Sequence, residues 1–383
     1  MSDPFAPSEF QDRVTRAQAL MAQADLAALL LTTEPDLRYF TGFLTRFWES
    51  PTRPWFLVVP ATGAPIAIIP SIGAPLMRQT WMQDVRTWRS PDTTDDGLSL
   101  LAEALRGCAP SGARIGVPSG PETHVRMPRD SWTTLTAQLS DRVLTGDACI
   151  LRRLRLVKSP AEIAKIAQAC SIADSAFARV PEIAQAGTPL DTVFRRFQML
   201  CLGEGADWVS YLAGGAGQGG YGDIIAPATP APLRPGDVLM LDTGLVHDGY
   251  FCDFDRNWSV GPPTAQTQSS YDRLLDAAEA GFAAARPGAT AADLFHAMDA
   301  VLTGGAGGTD AGRYGHGLGM QLTEWPSLIP DDHTVLAPGM VLTLEPGLID
   351  ATGRALVHEE NIVITDTAAR YLSTPAPRQM PVL

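Results

Sequence analysis

Along residues 9–23 the apolar positions Phe10, Val14, Ala17, Leu20 and Met21 recur at helical spacing, which predicts a helix with one buried face. The unbroken apolar run 26–31 that follows predicts an interior strand. Two more strands, 55–59 and 65–69, flank a turn holding Gly63, and helices are expected over 74–82 and 98–106 with a further strand at 114–117. The alternation predicts an α/β layer of about 150 residues, a common domain size.

The pattern changes at the basic stretch 151–159. Ser159, Pro160 and Glu162 then supply an N-cap, a proline at the first helical position and an early acid, so a long helix should begin there. A second amphipathic helix is expected over about 190–202, followed by a glycine-rich loop at 214–222. Beyond it, strands at 238–241, 250–260, 341–344 and 361–365 alternate with helices at 270–285 and 291–302, an α+β pattern with antiparallel strands. A chain of 383 residues exceeds the usual size of one hydrophobic core, and the expected domains are 1–153 and 154–383.

Composition narrows the function classes. A formal net charge of -13 and a pI near 4.9 oppose a nucleic-acid or anionic-membrane surface, which needs clustered Lys and Arg. Five widely spaced cysteines without a CxxC pair match neither a disulfide framework nor a thiolate zinc site. No stretch is apolar and long enough to cross a bilayer and the first residues are not a signal sequence, so a cytoplasmic location is expected.

The candidate chemistry lies in the last third. Asp242 closes an apolar strand, Asp253 and Asp255 alternate along the next one, His316 stands among glycines, Glu345 ends another apolar strand, and Glu360 precedes a strand with His358 and Glu359 beside it as competitors. A carboxylate at the end of a buried strand is costly unless it is hydrogen-bonded or ligates a cation. Four converging carboxylates repel one another, and two divalent ions would balance them. An oxygen-rich set with one imidazole favours manganese, iron or cobalt over zinc.

The ordered series LDTG, GYFCDFDR, GHGLG, LEPG and HEENIVIT resembles the metal-binding signature of the pita-bread family, which includes aminopeptidase P, prolidase, methionine aminopeptidase and creatinase. LRRLRLVKSPAEI and the α/β first half are similar to that family's domain junction and N-terminal domain. The resemblance implies a pita-bread catalytic domain, with Asp242 on one metal, Asp253 and Glu360 bridging two, and His316 with Glu345 completing the second. Glu360 is preferred to Glu359 because the family's last ligand directly precedes an Asn or Asp, here Asn361. Glu345 is implied as the proton carrier.

Two departures stand out. Peptide-cleaving members carry a His before the Glu of an HE-x-P motif, where this chain has Thr323 followed by Glu324, and a second substrate-binding His has no counterpart near 223–226. A hydroxyl at Thr323 can hydrogen-bond but cannot supply the cation or proton relay of an imidazole. The expectation is a binuclear metallohydrolase of a small amide or Xaa-Pro-like dipeptide, poor on Xaa-Pro bonds and not a creatinase, with Glu345, Glu324 and Thr323 as catalytic candidates. The alternatives are a lyase or non-peptide amidohydrolase, similar to dimethylsulfoniopropionate lyase or ectoine hydrolase, and a non-catalytic peptide-binding module. Arg46, Trp48 and Arg53 are candidates for substrate binding, weighed evenly against a packed junction. The family's dimeric members imply a homodimer in which this loop reaches the neighbouring subunit's site. The glycine stretch 214–222 lacks the ending of a P-loop and is expected to be a flexible pocket wall.

Overall fold

The structure, a computed structural model, describes residues 5–50, 53–307, 312–350 and 353–383. The chain divides into two compact units, Met1–Arg155 and Leu156–Leu383.

In the first unit, helices α1 (Pro7–Gln23) and α2 (Glu34–Thr41) surround the start of a six-stranded sheet made of β1 (Ala28–Leu31), β2 (Phe56–Pro60), β3 (Ile66–Pro70), β4 (Asp84–Trp88), β5 (Arg114–Val117) and β6 (Val143–Gly146). The strand order is β4-β3-β2-β1-β5-β6, with β1 antiparallel to β2 and parallel to β5. Every residue of β1, β2 and β3 is buried, the pattern of strands covered on both faces. Short α3 (Ala74–Met77) is followed by α4 (Leu98–Cys108), α5 (Arg129–Gln138) and α6 (Ile150–Leu156). Leu101 and Leu105 of α4 pack in one core with Leu30, Val58 and Ile68, and full burial of each such side chain contributes roughly 1.5–3 kcal/mol.

The helix expected over 74–82 stops after one turn, and the chain continues into the edge strand β4, for which the sequence pattern gives no expectation. Only Trp88 of β4 is buried, so its sequence carries little apolar alternation. The loop bearing the substrate-binding candidates is well tied within its own unit, Pro51 and Thr52 lying outside the described residues. Trp48 is buried against Trp55, and Arg126 stacks over it while donating to the carbonyls of Trp48, Ser50 and Arg53. Arg46 pairs with Glu49, and Arg53 lies over the Phe47 ring.

The second unit opens with α7 (Pro160–Ala178), whose capping box joins Ser159 and Glu162 in both directions, and α8 (Leu190–Gly203). Strands β7 (Trp208–Gln218), β8 (Asp237–His247), β9 (Tyr250–Phe251) and β10 (Phe254–Ser259) form one antiparallel sheet with β8 at its centre. After α9 (Ala265–Ala284) and α10 (Ala291–Leu302) come β11 (His316–Gly317), β12 (Glu324–Ser327), β13 (Val341–Leu344), β14 (Gly347–Ile349), β15 (Ala355–Val357), β16 (Glu360–Ile364) and β17 (Ala369–Tyr371). Five of these make a sheet in the order β12-β11-β13-β16-β17, while β14 and β15 pair separately. Leu274, Leu294 and Met298 of the two helices share a core with Leu342, Leu344, Ile362 and Ile364, so one face of the five-stranded sheet is sealed and the other is left for polar side chains.

The expected glycine loop is largely strand. Gly214 to Gly217 pair with β8, and Gly214 has φ +151 with its Cα so close to the Met240 carbonyl that a side chain would collide. Glycine is required there for close strand approach. Asp242 also sits within β8 and not at its end, because Leu245 and Val246 continue the pairing.

Candidate metal centre

Two sheets converge on the acids. Asp242 comes from the centre of β8, and Asp253 from the break between β9 and β10. His316 opens β11, Glu345 follows β13 and Glu359 precedes β16, and these three strands are neighbours through Gly317↔Leu342 and Leu344↔Glu360. Gly315, at φ +138, allows the chain to pass the Thr343 carbonyl and deliver His316. Asn361 stitches the sheets together: its side-chain oxygen accepts the Asp253 N–H at 3.0 Å and the Cys170 thiol at 3.3 Å, while its amide donates to the Asp253 carbonyl.

Two ligand-like groups result, Asp253 with His316 and Glu345, and Asp242 with Asp253 and Glu359, the donor atoms within each lying no more than 4.8 Å apart. Asp253 belongs to both. His316 Nδ1 contacts the Gly317 carbonyl at 2.8 Å, which turns Nε2 toward Glu345 Oε1 at 2.9 Å and Asp253 Oδ2 at 3.3 Å. Among the described residues buried Asp242 Oδ1 has no hydrogen-bond partner, an arrangement that suits a cation. Orphaned acceptor, paired carboxylates and a tautomer-fixed imidazole make this donor set fit divalent ions.

Of the two neighbouring glutamates, Glu359 and not Glu360 stands in the ligand-like cluster. Glu360 shares its strand face with Ile362 and Ile364, which lie in the apolar core, so period-two alternation turns it away from Asn361 and the site. Its carboxylate is taken by Arg256 at 3.0 Å, the Ala376 N–H at 2.9 Å, His358 at 3.2 Å and the Ser373 hydroxyl. Glu359, one residue earlier, faces the cavity. Glu324 is likewise turned inward: it pairs with Lys158 at 3.1 Å and accepts the N–H groups of Met320 and Gln321, whereas Thr323 lines the cavity. Asp255 is fully buried and accepts from the Glu359 N–H at 2.7 Å and Asn257 at 2.9 Å, holding Glu359 in place.

The cavity is about 230 Å³ and is also lined by Tyr211, Ile224, Leu322 and Arg313. Arg313 and Tyr211 carry no local sequence signal, and Asn361 enters the sequence reading only as the residue after the last ligand. Tyr211 and Asn361 owe their positions to pairing with distant strands, which local pattern does not reveal.

Electrostatics express the crowding. Burial, then repulsion from Asp253 and Asp255, holds the Asp242 carboxyl well above its ordinary range, and burial with Asp242 does the same to Glu359. Burial lifts Asp253 to about 6 against the opposing pull of His316. Burial opposes the charged forms of Glu345 and His316 too, but their mutual attraction wins, with Glu345 held at about 2 and His316 at about 10.

These shifts fix the pH dependence of the metal-free fold. An acid whose folded pKa is raised binds its proton more tightly folded, so stability falls as pH rises from its unfolded value through its folded one. For Asp253 that window runs from 3.8 to about 6, and Asp242 and Glu359 extend it upward. The contribution of His316 is complete below 6.5 and is lost as pH rises through about 10, which adds to the same trend. Glu345 gains its contribution as pH rises from about 2 to 4.5 and is constant from pH 5 to pH 7. The melting-temperature gap between metal-loaded and chelator-stripped protein is therefore expected to widen from pH 5 to pH 7. A gap that stays constant, or narrows, contradicts the repulsion argument.

Comparison with known proteins adds to this geometry. The model of metallopeptidase family M24 matches residues 164–366, and that of the creatinase/prolidase N-terminal domain matches 13–157. "Probable dipeptidase PepE" of Mycobacterium tuberculosis is 30% identical, covering 95% of this chain and 94% of its own. An Xaa-Pro dipeptidase of Pyrococcus horikoshii is 25% identical, over 94% and 97%. The crystal structure of dipeptidase PepE from Mycobacterium ulcerans, 29% identical, superposes with a TM-score of 0.82 over 99% of both chains. The prolidase of Thermococcus sibiricus, 23% identical over 98% of this chain and 99% of its own, has the same fold with a TM-score of 0.87.

Proposed function

Because the chain belongs to metallopeptidase family M24 and carries that family's creatinase/prolidase N-terminal domain, we propose that this metallohydrolase is a binuclear dipeptidase. The observation that carries the reading is the pair of ligand groups sharing Asp253, with Asp242 Oδ1 left unpartnered beside them. Asp242, Asp253 and Glu359 would hold one ion and Asp253, His316 and Glu345 the other. Ions there supply Lewis acidity toward a scissile carbonyl and an acidified water nucleophile.

The chain's own residues do the rest. Thr343 donates to Glu345 Oε1 at 2.6 Å, and His316 Nε2 lies against the same oxygen, which leaves Oε2 to carry protons. Asn361 fixes the backbone of Asp253, and Asp255 fixes that of Glu359. A cavity of about 230 Å³ is smaller than the roughly 300–1,000 Å³ of drug-sized sites and suits a two-residue substrate.

The test is a panel of free dipeptides assayed with the metal-reconstituted protein and again after chelation. Several non-proline dipeptides should be hydrolysed, and chelation should abolish turnover; an inert panel rejects the reading. Xaa-Pro substrates should trail the best non-proline dipeptide by about 100-fold in kcat/KM, the low end for a missing general acid or base, since Thr323 cannot replace an imidazole. Thr323→His should narrow that gap. Xaa-Pro turnover of order 10 per second in the unaltered enzyme shows the Thr323 argument to be wrong.

A further inference from the structure

We propose that the cavity between α7, β10 and the proline-rich segment 374–381 is a second binding site, which takes a protonated primary amine carrying an apolar body. It shares no lining residue with the metal cavity and stands apart from the dipeptidase reading.

This cavity lies within the second unit and measures about 660 Å³, inside the roughly 300–1,000 Å³ of small-molecule sites. Asp174, Phe177 and Ala178 reach it from one face of α7, since helical residues three and four apart are neighbours. Trp258 comes from β10, and Pro375, Pro377 and Pro381 complete the wall. The proline segment is tied down along its length: the Ala376 N–H donates to Glu360 at 2.9 Å, and the Pro381 carbonyl accepts the Ser259 N–H at 2.8 Å.

The polar lining selects the ligand. The terminal nitrogens of Arg256 carry four hydrogens, and four acceptors meet them, the carbonyls of Asp255, Glu359 and Thr374 and the Glu360 carboxylate. Asn257 gives both amide hydrogens to Asp255 and the Val357 carbonyl, the Tyr271 hydroxyl donates to the Pro377 carbonyl at 3.1 Å, and the prolines have no N–H. Arg256 is the single cation on the lining, and Glu360 neutralises it at 3.0 Å. Asp174 is the charge left over. Its Oδ2 accepts the Thr374 N–H at 2.9 Å and hydroxyl at 2.8 Å, while no hydrogen bond or ion pair among the described residues reaches Oδ1. Burial raises this carboxyl above its ordinary range despite Thr374 and Arg256, an effect that a bound cation reverses. Ser175 adds a second acceptor, because its own hydrogen goes to the Ser171 carbonyl at 2.9 Å. A primary ammonium brings three N–H donors to these oxygens. The rings of Phe177 and Trp258, 5.9 Å apart and tilted by 40°, attract a cation and bury the apolar body attached to it. An anion would face Asp174 with those donors already committed.

Calorimetric titration of the metal-loaded protein with phenethylammonium chloride tests the site, with 2-phenylethanol as the uncharged isostere. The amine should saturate one site per chain with a Kd of about 1 mM or tighter. It should bind at least ten-fold more tightly than the alcohol, within the range of a hydrogen bond to a charged group. Asp174→Asn should remove that advantage by weakening the amine alone. Ala178→Phe adds a ring at an exposed position of the lining without removing an internal bond, and should abolish binding of both compounds. Metal content and melting temperature should stay near wild type in both variants. Chelator-stripped wild type should bind the amine with an unchanged Kd, which separates this cavity from the metal centre. Absence of saturable binding, equal affinity for amine and alcohol, an advantage that survives in Asp174→Asn, or binding that persists in Ala178→Phe or disappears with the metal overturns the assignment.

Discussion

Replacing Asp253 by alanine is expected to remove both metal ions and, with them, all measurable turnover. Asp253 is the one carboxylate common to the two ligand groups, so its loss strips each group of a donor at once. Changes in mere outer-shell partners already cost metal sites 10- to 100-fold in affinity, and a shared ligand should cost more than about 100-fold at each ion. Asp242→Ala removes a donor from one group and should leave an ion at His316 and Glu345. Elemental analysis after dialysis against buffered free manganese, with circular dichroism to confirm folding, checks both variants. Retention of two ions by Asp253→Ala sinks the bridging assignment.

Much of this architecture is legible in the sequence because its signals are local. The Ser159–Glu162 capping box marks the start of α7, and the apolar runs at β1, β2 and β5 appear where strands form. Asp242, Asp253, His316 and Glu345 stand out for a related reason: each interrupts an apolar or glycine-rich run, and a polar group there needs a partner. What escapes is set by tertiary context. Edge strand β4 has one buried residue in five and so no readable alternation. Arg313 enters the site through the geometry around Gly315, and Tyr211 through strand β7, whose glycines look like a loop until their pairing with β8 is seen.

The sides taken by Glu359 and Glu360 are also legible in the sequence. Glu360, Ile362 and Ile364 recur every second residue, and two isoleucines on one face of a strand mark the core side. Glu359 is thereby assigned to the opposite side together with Asn361. The family's preference for a ligand just before an Asn points to Glu360 and runs against that period. Physical alternation was the stronger rule.

The two neighbouring glutamates consequently predict opposite phenotypes. Glu360 is 2% exposed and its carboxylate is held at about 2, where Arg256, His358 and Ser373 outweigh the effect of burial. Glu360→Gln leaves the buried Arg256 guanidinium without its counter-charge, and breaking such a pair typically costs about 3–5 kcal/mol. Glu359 is the reverse case, a carboxyl that burial and its acidic neighbours push toward the neutral form. An uncharged amide resembles that form, so Glu359→Gln should leave the metal-free protein within about 1 kcal/mol of wild type. Its effect should fall on function: lower metal occupancy and little turnover. Urea unfolding of the chelator-stripped variants measures the first difference, and metal analysis of the folded proteins the second. Should Glu360→Gln lose metal while keeping its stability, and Glu359→Gln unfold while keeping its ions, the assignment of the two positions is inverted.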